Sequence, residues 1–152
     1  MRFGIRRPIM AGLTFATLAL LWFARAPVDG TFAVDVLPSM ILLGLGAGVA
    51  FNPILLAAMS GVEPHESGLA SGVVNTSFMM GGALGLAVLV SVADARTDAL
   101  EAGGTSAVAA LNGGYQAAFL VGAVFAIAAA ALASTLRVKM PAHDPELAFE
   151  TH

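Results

Sequence analysis

Hydrophobic residues fill four long stretches of this sequence, and charged residues are confined to the segments between them. No Asp, Glu, Lys or Arg occurs within residues 8–24, 36–62, 67–93 or 102–136. A helix needs about 20 mostly apolar residues to cross about 30 Å of hydrocarbon. The pattern therefore predicts an all-α membrane protein whose four transmembrane helices form one bundle within residues 1–139. The expected spans are about 8–24, 36–60, 69–93 and 115–136.

The composition supports this class and argues against several others. Hydrophobic residues make up 58% of the 152 residues and charged residues 11%, whereas a soluble domain has about 25% charged residues. A net charge of −3 argues against a nucleic-acid partner. The absence of Cys excludes disulfides, thiolate metal sites and a Cys nucleophile. We expect no catalytic residue, cofactor or metal, and the lipid bilayer as the surroundings.

The basic residues at the ends of the spans predict the orientation. Arg2, Arg6 and Arg7 precede the first apolar stretch, and Ala24-Arg25-Ala26 follows it, which is also the pattern of a cleaved signal peptide. Pro27 would hinder that cleavage, so a first transmembrane helix is favoured. With four spans, both termini lie on the side that carries more basic residues: Arg2, Arg6, Arg7, Arg137 and Lys139, against Arg25 and Arg96 on the other side. The positive-inside rule therefore predicts that both termini are on the cytoplasmic side of a bacterial inner membrane.

Two segments outside the spans are expected to be irregular. Residues 96–114 contain the turn signals Gly103-Gly104 and Asn112-Gly113-Gly114, which predict a loop with a short surface helix. Residues 140–152 contain two prolines and few apolar side chains, which predicts a disordered cytoplasmic tail.

No ionisable side chain lies within a span, although such groups mark ion and proton pathways. Asp35 and Asp94 lie at the outer mouths of the second and third spans, either as solvated interface acids or as gating carboxylates. Glu63, His65 and Glu66 share the loop between these two spans, where a turn is favoured over a metal site because a fourth ligand is missing.

Glycines recur along one face of each central span, at the spacing that lets two helix backbones approach closely. We expect helix packing at these positions: Gly44, Gly48, Gly72, Gly81, Gly82 and Gly85. Asn52 continues the face of the second span, and Asn75 and Met79 that of the third.

The two asparagines are predicted to lie at similar depth in the membrane. They either bond to each other between helices or line a polar cavity. Thr76 and Met79 complete the candidate substrate cavity with Asn52 and Asn75. Met is an adaptable side chain on promiscuous apolar surfaces, although ordinary core packing is the alternative for Met79.

Four glycine-rich segments together resemble a known family. Residues 44–53, 61–77, 81–88 and 114–122 resemble, in order and spacing, the closing four spans of the fourteen-span drug:proton antiporter branch of the major facilitator superfamily. The resemblance implies that the second span lines the cavity and the third packs beside it, while the first and fourth face lipid. It also implies export of small lipophilic, often cationic compounds in exchange for protons.

The resemblance extends to residues 2–7, which are similar to the tail of the family's basic loop motif, with the motif's earlier positions before Met1. Gly81, Gly82 and Gly85 resemble a glycine-rich antiporter motif without its proline. We expect the C-terminal portion of a longer transporter, with the remaining spans as partners and no transport alone. A four-span membrane accessory or assembly protein is the alternative. A self-contained small exporter would need a Glu in the first span, and an embedded enzyme would need a nucleophile or base.

Overall fold

The computed structural model describes residues 6–135, which form four α-helices and no strand. The bounds are α1 Arg6–Phe23, α2 Leu37–Met59, α3 Ser67–Ala102 and α4 Ala107–Thr135. A π-helical turn, Phe32–Val36, leads into α2, and a 3-10 turn, Pro64–Glu66, leads into α3. The all-α prediction is confirmed. The predicted tail, and Arg2, Arg137 and Lys139, lie outside the described residues.

Three helical segments are long and apolar enough to cross a membrane: Phe32–Met59, Pro64–Ala102 and Ala107–Thr135. The shorter α1 does not reach the same mean hydropathy, because Arg6 and Arg7 form part of its 18 residues. The described chain is therefore a multi-pass membrane protein, and the fourth crossing stays a prediction.

Helices α1 and α4 form the middle of the bundle. Helix α1 packs against both α2 and α4, while α3 packs mainly against α4 and barely touches α2. A larger share of the residues is buried in α4 than in α2 or α3. Helix α4 therefore does not face only lipid, although it consists mostly of small and apolar residues. Its buried positions are small residues that admit close neighbours: Ala110, Gly114, Gly122, Ala123 and Ala133.

The backbones of α1 and α2 touch where Gly12 meets Gly46. A Cβ atom at Gly12 would lie 2.5 Å from the Gly46 carbonyl oxygen, and one at Gly46 would lie 2.7 Å from the Gly12 oxygen. Ala16 and Ala50, one turn further along each helix, complete the contact. The sequence analysis missed this crossing, although both pairs have the small-x-x-x-small spacing of close helix contacts.

The predicted loop over residues 96–114 is wrong. Helix α3 continues to Ala102, α4 begins at Ala107, and Gly104, with φ of +85°, makes the turn between them. Gly113 and Gly114 lie inside α4, where a Cβ atom would collide with α3: with Leu100 at Gly113, and with Ala93 and Thr97 at Gly114. These two glycines therefore permit a close helix contact and do not form the predicted turn.

The α1–α2 crossing can be tested on two neighbouring glycines of α2. Gly46→Leu should lower the free energy of unfolding by about 1–3 kcal/mol, the usual cost of overpacking. Gly48→Leu should change it by less than about 0.5 kcal/mol, because nothing lies within 4 Å of the added Cβ atom. Unfolding of the purified chain in detergent, followed by circular dichroism, measures both. Equal losses would contradict the crossing at Gly46.

Candidate functional site

The predicted face of α2 points away from the helix bundle. Gly44, Gly48 and Asn52 are exposed, and no atom beyond the local backbone lies within 4 Å of a Cβ atom built at either glycine. Gly48 follows Gly46 by two residues, which is about 200° around a helix. Because Gly46 faces α1, the Gly44–Asn52 face has no neighbour within residues 6–135.

The predicted face of α3 is covered along only half of its length. Gly72, Asn75, Met79 and Gly82 are exposed and open in the first half of the helix. Further along α3, the same face recurs at intervals of three, four or seven residues. Residues on this part of the face contact α4, among them Leu89, Ala93 and Leu100. Only the second half of this face therefore has a neighbour within residues 6–135, and the packing role of its first half stays a prediction. Gly81 and Gly85 also lie in open space.

Asn52 and Asn75 form no side-chain hydrogen bond within the described part of the chain. The interhelical bond between them is thus not formed, and their role in a cavity stays a prediction. The contact that does join α2 to α3 is aromatic: the rings of Phe51 and Phe78 lie 5.6 Å apart and are tilted by 49°. Sequence analysis did not identify this pair, although Phe51 directly precedes Asn52.

The other two predicted cavity residues lie on the open side of α3. Thr76 lines a shallow groove of about 410 Å³ together with Gly72 and Met80. Met79 is 70% exposed. The groove is formed by α3 alone, so a second wall would have to come from outside residues 6–135.

A second, almost wholly apolar groove of about 480 Å³ lies at the end of the bundle where α1 begins. Helix α1 contributes Ile9 and Leu13, while α2 and α4 form the walls with residues that include Ile54, Ala58 and Leu132. The sequence analysis did not foresee it, because the alanines that leave the space carry no chemical signal. Its lining offers shape and hydrophobicity, with Thr135 as the one polar side chain and no ionisable group.

The charged loop between α2 and α3 has the geometry of a solvated turn. The Nδ1 atom of His65 lies 3.4 Å from a Glu63 carboxylate oxygen, and both side chains are 72% exposed. No group of three metal-ligating side chains is present within residues 6–135. At the opposite end, the Asp35 carboxylate accepts a 2.8 Å hydrogen bond from the backbone N–H of Thr31, which steadies the start of α2.

Two amides of α4 hold the segment that follows α1. Asn112 Nδ2 and Gln116 Nε2 both donate to the backbone carbonyl of Ala26, at 3.2 and 3.0 Å. Their spacing of four residues puts both side chains on one face of α4. This attachment is not evident from the sequence, because Asn112-Gly113-Gly114 also has the composition of a turn.

These elements define an apolar helix bundle with open faces in a membrane, and the family follows from its sequence. The family model described as Major Facilitator Superfamily matches residues 1–86. The match covers more than half of the chain, which therefore belongs to the major facilitator superfamily. Members of this superfamily are transporters rather than enzymes, and they act in the membrane on small molecules.

Several curated relatives are named for drug or antibiotic resistance and export. The chain is 35% identical over 137 residues to the puromycin resistance protein pur8 of Streptomyces alboniger. These aligned residues make up 90% of this chain and 27% of the relative. It is 34% identical over 128 residues to the cephamycin export protein CmcT of Amycolatopsis lactamdurans, covering 84% and 25%.

The multidrug resistance protein Stp of Mycobacterium tuberculosis strain H37Rv is 35% identical over 91 residues, covering 60% of this chain and 17% of the relative. The chain thus spans about a quarter or less of the length of these relatives. No solved structure matches it.

The contributions of the Gln116 and Asn75 side-chain amides to stability can be compared by substituting each residue. Gln116→Leu should lower the free energy of unfolding by about 0.6 kcal/mol, the average for such hydrogen bonds in lipid. Asn75→Leu should cause no loss in the isolated chain, since its amide has no partner among residues 6–135. Equilibrium unfolding in detergent distinguishes them. A loss at Asn75 as large as at Gln116 would mean that Asn75 has a partner within the chain.

Proposed function

We propose that this chain is the closing four-span part of a proton-coupled multidrug exporter of the fourteen-span branch, and that it works only together with further spans. The observation that carries the proposal is the pair of open faces on α2 and α3, which hold the glycines and both asparagines. The chain spans only about a quarter of the length of these relatives, which also supports the proposal.

Membrane chemistry favours a partner for these two faces. Asn52 and Asn75 lie within apolar helices and have no side-chain hydrogen bond among the described residues. Unsatisfied polar groups are costly in hydrocarbon, so such side chains usually face neighbouring helices or a water-filled cavity. The open glycines beside them allow another helix to approach closely. Further spans would supply both the neighbours and the second wall of a substrate cavity.

The side chains on these faces suit a lipophilic substrate. Phe51, Phe78 and Met79 present aromatic and polarisable surface next to the two amides, and the relatives' names refer to puromycin, cephamycin and multiple drugs. No ionisable residue lies in residues 36–62 or 67–93. The acids that couple transport to protons would therefore belong to the other spans.

In this proposal α1 also crosses the membrane, and both termini lie in the cytoplasm. Its 18 residues extend about 27 Å, close to the thickness of the hydrocarbon region. Arg6 and Arg7 would then lie at the cytoplasmic surface, while Arg25 and Arg96 would lie at the outer surface of a bacterial inner membrane.

The orientation can be measured with single cysteines, because the chain has none of its own. Ser106→Cys, in the link between α3 and α4, should react with an impermeant maleimide in intact cells. His65→Cys, which is equally accessible to solvent but at the other end, should react only after the membrane is opened. Labelling of His65→Cys in intact cells would contradict the orientation.

The need for further spans can be tested by transport. The chain alone in proteoliposomes should show no efflux of a lipophilic cationic dye under an imposed pH gradient, because it offers one cavity wall and no titratable group at depth. A chimera in which this chain replaces the matching segment of pur8 should transport the dye and protect a sensitive host from puromycin.

Two outcomes would contradict the proposal. Gradient-dependent efflux by the chain alone would indicate a self-contained exporter. A chimera that is made, inserted and folded at normal levels but transports nothing would favour the accessory or assembly protein. Unmodified pur8, and pur8 without the replaced segment, are the matched controls.

A further inference from the structure

A third groove lies on the outside of the bundle, at the end where α1 finishes. It has a volume of about 440 Å³, within the range of about 300–1,000 Å³ that is usual for small-molecule sites. Its lining combines an aromatic ring, a guanidinium group and aliphatic side chains: Leu18, Leu21, Trp22, Arg25 and Leu42. None of these residues was singled out as a binding site, and none belongs to the faces of α2 and α3 described above.

The groove opens away from the helix bundle. Gly12, Ala19 and Phe23 lie on the side of α1 that packs inward: Gly12 against α2, Ala19 fully buried, and Phe23 stacked 5.0 Å from Phe119 of α4. Leu18 and Trp22 lie on the other side and are 50% and 47% exposed. With α1 crossing the membrane as proposed above, this side of the helix would face lipid.

The backbone at Arg25, which lines this groove, is held by hydrogen bonds. Its backbone N–H donates to the Trp22 carbonyl at 3.0 Å, and the next carbonyl, that of Ala26, receives the two amides of α4. Within residues 6–135 the Arg25 guanidinium forms no ion pair. An exposed guanidinium thus lies beside the apolar side chains of the groove, and no carboxylate among the described residues pairs with it.

Each part of the groove matches one part of a phospholipid. A guanidinium group binds phosphate through two parallel hydrogen bonds, and an indole ring prefers the level of the headgroups. The leucines offer a surface for an acyl chain. We propose that this groove is a binding site for an anionic phospholipid, with the phosphate at Arg25 and an acyl chain along Leu18, Leu21 and Leu42. The site rests on the proposed crossing of α1 but not on transport, so its failure and a failure of the transport proposal are separately detectable.

The protein carries its own reporter for this site, because Trp22 is its only tryptophan. The chain is placed in phosphatidylcholine vesicles that contain a minor fraction of phosphatidylglycerol, and one of the two lipids carries brominated acyl chains that quench indole fluorescence on contact. Quenching should indicate about five-fold enrichment of phosphatidylglycerol around Trp22 relative to the bulk membrane.

The variants separate specific binding from general attraction to the membrane. Arg25→Gln should remove the enrichment, and Arg25→Lys should retain only part of it, because an ammonium group attracts the phosphate but cannot form the two parallel hydrogen bonds. Arg96→Gln is the matched control, since Arg96 is an exposed arginine of α3 at the same end of the bundle and does not line the groove. It should leave the enrichment unchanged.

The result that overturns the proposal is equal quenching by the two brominated lipids at equal fractions in the unmodified chain, a measurement that needs no variant. Loss of enrichment in Arg96→Gln as large as in Arg25→Gln would also overturn it, because the effect would then be one of net charge. Enrichment that persists in Arg25→Gln would exclude Arg25 as the phosphate ligand.

Discussion

The backbone contact between Gly12 and Gly46 is the constraint on which the rest of this bundle depends. In lipid the hydrophobic effect does not drive helices together, so their association requires close van der Waals packing. The two carbonyl groups approach the opposite glycines so closely that neither position admits a Cβ atom. Gly114 likewise has no room for a Cβ atom where α4 packs against α3. Together with the packing of α1 on α4, where Phe23 stacks on Phe119, these contacts place α1 and α4 at the centre of the described chain.

The functional features follow from what this packing leaves uncovered. With α1 and α4 in the middle, α2 and α3 meet mainly through Phe51 and Phe78, and their remaining faces stay open. In the proposed transporter these faces would be available to further helices and to a substrate. The outward side of α1 also stays open, and Trp22 and Arg25 help to line a groove there.

The sequence was sufficient for the helical class, because the absence of charge over long stretches is a direct requirement of the membrane. It was not sufficient for the choice of packing faces. On α2, Gly44 and Gly48 have the same spacing as Gly46 and Ala50, and only a partner helix decides which pair is covered. Gly113 and Gly114 are equally ambiguous, since glycine favours both turns and close helix contacts.

The claim that the open faces are docking surfaces is tested most directly by placing Gly48→Leu in the pur8 chimera. Its thermal stability would be compared with that of the unsubstituted chimera. The account predicts a clear loss of stability, because a helix from the rest of the transporter would lie against Gly48, although nothing within residues 6–135 does. An unchanged stability would show that this face of α2 stays uncovered in the complete transporter, which would contradict the account.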